Sequence, residues 1–69
     1  MKNYDDWREE YETEIERLKG KGRKSLFRIN EKMSQETANH LETYFTQQGY
    51  KFEKHKCHSC GGYDITIIF

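Results

Sequence analysis

The chain has no proline, only two cysteines, no net charge and no long apolar run. The missing proline is unremarkable at this length. The other absences exclude more. Twelve basic and twelve acidic residues cancel, so there is no global pull toward nucleic acid or an anionic membrane. The longest apolar stretch, residues 65–69, is interrupted by Thr66, which is too short for a transmembrane span. The opening residues are acidic and polar where a secretory signal is basic and then apolar, so no signal peptide is expected. Two cysteines without such a signal lead us to expect reduced thiols and a cytoplasmic protein. There is no glycine-rich phosphate loop, no nucleophile elbow and no pair of carboxylates in a predicted pocket. A domain of 69 residues also has little room for a cleft of roughly a few hundred Å³. A protein without enzymatic activity is expected.

What is present is small, polar and aromatic. A chain this short buries only about 60% of the surface its unfolded form exposes, so a metal, a disulfide or a partner chain would help to hold it. Charged residues make up 35% of the sequence, but aromatics make up 14% and fall in patterns, which sets it apart from a disordered composition. The charges are unevenly spread. Residues 1–19 carry seven acids against four bases, whereas residues 20–32 carry Lys21, Arg23, Lys24, Arg28 and Lys32 against Glu31 alone. Lys51, Lys54 and Lys56 form a second basic group. Charge runs of this kind usually form a solvated surface.

Tyr4, Trp7, Tyr11, Ile15 and Leu18 are spaced three or four apart and form one helical stripe. Asn3 or Asp5 can cap this helix, early acids and late bases suit its dipole, and Gly20 and Gly22 stop it. Residues 25–30 read as a strand, with Phe27 and Ile29 on one face and Leu26 and Arg28 on the other. Ser34 caps a second helix running to about Gln48, with Ala38, Leu41, Tyr44 and Phe45 as its stripe and Gly49 after its end. Two alternating strands follow, residues 50–56 and 63–69, around a cysteine- and glycine-containing loop. A four-residue loop over 59–62 sets Phe52 opposite Phe69 and Lys54 opposite Ile67. That pairing unites Phe52 with Ile65 and Ile67, and a one-residue slip would separate them. The expected fold is α+β: an N-terminal amphipathic helix, then a βαββ unit in which a three-stranded sheet carries one helix on a face. The expected divisions are residues 1–19 as a helical arm, 20–24 as a basic linker and 25–69 as the mini-domain.

Three functional readings follow. The arm cannot stand alone in water. It either folds over its own sheet or uses Trp7, Tyr11, Ile15 and Leu18 to bind a protein partner or a second copy, and Trp and Tyr are common interface anchors. Alternatively, Arg23, Lys24, Arg28, Lys51, Lys54 and Lys56 form a basic face for nucleic acid, with Tyr50, Phe52 and Tyr63 as stacking rings. Finally, Cys57 and Cys60 have the spacing of one zinc knuckle, with His55 or His58 as a third ligand and His40 as a candidate fourth. One such pair is a weak zinc signal, a Cys57–Cys60 disulfide is disfavoured under reducing conditions, and a hairpin turn with two free thiols is the favoured reading. The overall expectation is a small regulatory protein, of the accessory kind that bacteria and bacteriophages use against larger partners, acting by protein binding and not at a membrane.

Overall fold

A computed structural model describes residues 2–69. Helix α1 spans Tyr4–Gly20. It begins where Asn3 accepts from the Asp6 amide while the Asp6 carboxylate accepts from the Asn3 amide, a reciprocal cap that satisfies two free donors. Strand β1 is Ser25–Glu31 and helix α2 is Gln35–Gln47, opened by the Ser34 hydroxyl accepting from the Thr37 amide. Strands β2, Lys51–Lys56, and β3, Tyr63–Ile68, complete the chain.

Both helices end in the same way. After α2, Gly49 takes φ +88°, its amide donates to Thr46, and the Tyr50 amide donates back to Phe45. The left-handed residue turns the chain out of the helix and gives partners to carbonyls that lack them. The Tyr50 ring lies over that of Phe45, centroids 6.1 Å apart, so the cap also delivers β2 onto the core. Helix α1 runs one turn-residue further than the sequence suggests, through Gly20, and Gly22 makes the equivalent cap.

The sheet order is β1-β3-β2, with β3 antiparallel to both neighbours. Strands β1 and β2 therefore run the same way, and α2 carries the chain from one sheet edge to the other. The hairpin register differs from the one expected. Phe52 lies opposite Ile67 and Lys54 opposite Ile65, with Lys56 opposite Tyr63 as the last pair. The shift is two residues, so Phe52 still shares a face with Ile65 and Ile67. The faces follow the apolar pattern, whereas loop length sets the register. The loop is longer than expected because Cys57 donates to the Gly62 carbonyl and accepts from the Gly61 amide, which curls residues 58–61 outside the ladder.

One face of the sheet carries Leu26, Phe52, Tyr63, Ile65 and Ile67, and both helices cover it. Trp7, Tyr11, Ile15 and Leu18 are all buried there with Ala38, Leu41 and Phe45. Helix α1 thus folds over its own sheet, one of the two outcomes expected of it, and lies beside α2 on this face. The Trp7–Leu18 stripe is core in this fold, not a surface that a partner can reach. The physical reason is the sheet's own need: α2 lies over β2, and without α1 the β1 side of the same face would stand open.

Tyr11 gives a testable consequence. Its side chain is fully buried, and its hydroxyl has no hydrogen-bond partner among the described residues. Burial pushes its ionisation well above the ordinary tyrosine range, Glu31 adds to the rise, Arg28 opposes it and Glu10 adds a smaller push. Above pH of about 10 the unfolded chain sheds this proton while the folded chain keeps it, so stability falls as pH rises, by up to about 1.4 kcal/mol per pH unit. Tyr11→Phe is expected to raise stability at pH 7 by about 1 kcal/mol, because an orphaned buried hydroxyl is removed. Its advantage should widen above pH 10. Urea unfolding of both proteins at pH 7 and pH 10.5 checks this, and a less stable Tyr11→Phe at pH 7 would contradict it.

Candidate binding surface

Among the described residues, the second face of the sheet has no layer over it. It is built from the alternate residues of each strand: Ser25, Phe27 and Ile29 on β1, Asp64, Thr66 and Ile68 on β3, and Lys51, Glu53 and His55 on β2. Three large apolar side chains are exposed here, Phe27 at 59%, Ile29 at 60% and Ile68 at 42%. Phe27 sits directly opposite Thr66, and Ile68 is its diagonal neighbour, within reach across the pleat. The β2 side of this face is charged, with Lys51 and Glu53 paired at 3.3 Å. The apolar surface therefore lies on the β1 side.

Strand β1 ends in a bulge. Its pairing with β3 shifts between Arg28 and Glu31, and Asn30 takes φ +62°. The Asp64 carboxylate holds this turn by accepting from the Asn30 amide at 3.1 Å. The cysteine loop rests against the same place. A Cβ on Gly62 would fall 2.9 Å from the Glu31 carbonyl oxygen and 3.1 Å from the Asn30 carbonyl carbon. Only glycine lets the loop backbone approach so closely.

Cys57 and Cys60 are joined in a disulfide, their Cα atoms 5.7 Å apart, which corrects the expectation of free thiols. The curl over 58–61 brings the two Cα atoms into bonding range. The Asn30 side-chain amide lies 3.0 Å from Cys60 Sγ. The atom placed there is Oδ1, and a disulfide sulfur has no proton to give it, so in the bridged state this is a contact and not a hydrogen bond. In a dithiol the Cys60 thiol would instead donate to the amide oxygen, and the loop keeps its neighbour in either state. With both sulfurs in one bond, neither is a thiolate ligand for zinc. His55 faces Asp64 on the open side of the sheet, His58 is exposed in the loop, and His40 packs edge-on against Tyr4 at 5.4 Å. Among the described residues, no three His, Cys, Asp or Glu side chains are gathered where they would hold a metal ion. Replacing both cysteines by serine is expected to keep a cooperative unfolding transition and to cost at most about 2 kcal/mol, because the closed loop is short. A chelator should leave the wild-type melting temperature unchanged. Stoichiometric zinc, with unfolding on chelation, would contradict this.

The six bases considered for nucleic acid are not brought onto one face. Arg28 and Lys54 point to the helix side. Arg28 lies 3.4 Å from Glu10 and 3.5 Å from Glu31, and Lys54 lies 2.7 Å from Glu42. Lys51 is on the opposite face, Lys56 is at the far end of β2, and Arg23 and Lys24 precede β1. The candidate stacking rings are also turned inward: Phe52 and Tyr63 are buried and Tyr50 is half-buried. No helix among the described residues is long and apolar enough to cross a membrane.

Phe27, Ile29 and Ile68 are the surface residues that the sequence reading did not single out. The signal was there: β1 carries apolar side chains on both faces, and a two-layer fold covers only one. Comparison of the chain with protein-family models, curated proteins and solved structures finds no match.

Proposed function

We propose that this chain is a non-enzymatic binding module that docks a protein partner on the open face of its sheet, around Phe27, Ile29 and Ile68. The observation that carries the reading is the exposure of these three side chains together on a chain that is otherwise 35% charged. Single exposed apolar residues are ordinary, but a cluster rimmed by polar residues marks interaction surfaces. The rim here is Ser25, Lys51, Glu53, His55 and Asp64. The contact moves from the helix stripe, which is core, to the sheet.

A display library of random peptides, panned against the full chain, tests this. Phe27→Lys and Ile68→Lys are expected to fold as well as the wild type, since both positions are solvated, and to lose the peptides that the wild type enriches. The binding should depend only weakly on salt. Peptides retained equally by both variants would contradict the reading. So would retention of a random single-stranded oligonucleotide with a steep salt slope, which would favour the dispersed basic residues.

A further inference from the structure

We propose that the free edge of β1 is a strand-addition site that takes an extended segment of a partner protein, apolar at alternate positions and acidic at its flanks. This rests on the sheet-face reading above and specifies how the partner is held.

The backbone supplies the first argument. The Phe69 amide donates to the Lys24 carbonyl at 2.9 Å. Hydrogen-bonded positions alternate along an antiparallel ladder. Lys24, Leu26 and Arg28 therefore turn their amides and carbonyls toward β3, and Ser25 and Phe27 turn theirs outward. β1 lies at the edge of the sheet, so among the described residues these outward groups have no strand beside them. Such an edge is a template for another extended chain. The bulge and the positive φ at Asn30 end the regular strand there, so an added strand would run beside residues 24–29.

The two edges of the sheet differ in kind. β2 carries Lys51, Lys54 and Lys56 in six residues, and lysines on an edge strand are a common guard against pairing. β1 has Phe27 and Ile29 exposed instead. Space is available beside it: a groove of about 410 Å³ runs between α1 and β1, lined by Glu14, Arg17, Leu18, Arg23, Ser25 and Phe27 among others.

Charge decides the occupant. Arg23 and Lys24 precede β1 and Lys32 follows it, and among the described residues none of the three has a carboxylate within ion-pair distance. Arg28 and Arg17 are already paired with Glu10, Glu31 and Glu14. A second copy joined through its own β1 would bring these unpaired cations against themselves. An acidic segment would pair with them at both ends of the added strand.

The same peptide selection on the full chain tests the site. Enriched peptides are expected to alternate apolar residues and to carry Asp or Glu at the flanks. Ser25→Pro removes an outward donor and no intrachain sheet bond, and proline is tolerated on an edge whose amide faces solvent. It should weaken those peptides about tenfold, the effect of one lost hydrogen bond. Arg23→Glu combined with Lys24→Glu should weaken them at least as much. In the wild type, added peptide should slow amide exchange at Phe27, a readout that does not depend on how the variants fold. Peptides lost by Phe27→Lys and Ile68→Lys but held equally by Ser25→Pro, with exchange at Phe27 unchanged, would overturn the edge site and leave the sheet-face reading standing. Peptides indifferent to every variant, or no enrichment at all, would overturn both. Enrichment of basic peptides, or self-association through β1, would overturn the edge proposal.

Discussion

Trp7→Ala is expected to remove about 3–5 kcal/mol of stability, the usual cost of truncating a buried tryptophan. Trp7 is 6% exposed and packs beside Tyr11, ring centroids 6.0 Å apart. A domain of this length has in total only roughly 3–10 kcal/mol to lose. The variant should therefore be largely unfolded or melt far below the wild type, as a monomer and without any partner present. Urea denaturation followed by circular dichroism checks this. A variant with an unchanged transition would mean that the α1 stripe is not packed on its own sheet, and the docking-arm reading of residues 1–19 would return.

Phe45→Ala is expected to be as damaging, by about 3–5 kcal/mol. Phe45 is fully buried and lies among four other rings: Tyr44 at 5.1 Å, Phe52 at 6.0 Å, Tyr50 at 6.1 Å and Tyr11 at 6.3 Å. It joins α1, α2 and β2, so its loss opens a cavity that no single element can close. Phe45→Leu keeps most of the volume and should cost less than half as much. Equal losses for the two variants would show that shape matters little at this position and that the core is looser than described.

The α+β order, the Ser34 cap and every buried residue on α1 and α2 were legible in the sequence, and the α1 cap was narrowed to Asn3 or Asp5, because helical periodicity and capping chemistry act over a few residues. The faces of β2 and β3 were legible for the same reason: Phe52, Ile65 and Ile67 alternate strongly. Their register was not. It depends on how the 58–61 loop curls, and the turn chemistry of Ser59, Gly61 and Gly62 suits several loop lengths. The destination of α1 was also open, since a stripe such as Trp7-Tyr11-Ile15-Leu18 describes a need for burial and not what satisfies it. That the sheet lacked cover on its β1 side decided it. The candidate site was the least legible part. Phe27 and Ile29 alternate with Leu26 and Arg28, and nothing in β1 alone says which pair faces the helices. Pairing with β3 fixes that choice, because Leu26 shares the face of Ile65 and Ile67. The disulfide was ranked below a metal site and a plain turn because a reducing compartment was expected, and two cysteines at this spacing do not by themselves separate the three; the loop geometry does.

Residue-resolved amide hydrogen exchange on the free, full chain tests the central claim most directly, that the helix stripe is spent on the core and the β1 edge is left open. The account predicts slow exchange at Leu26 and Arg28, which bond to β3, and fast exchange at Ser25 and Phe27, whose amides face outward, with Tyr11 and Ile15 on α1 among the slow group. Protection at Ser25 and Phe27 equal to that at Leu26 would contradict it, since the edge would then already be covered.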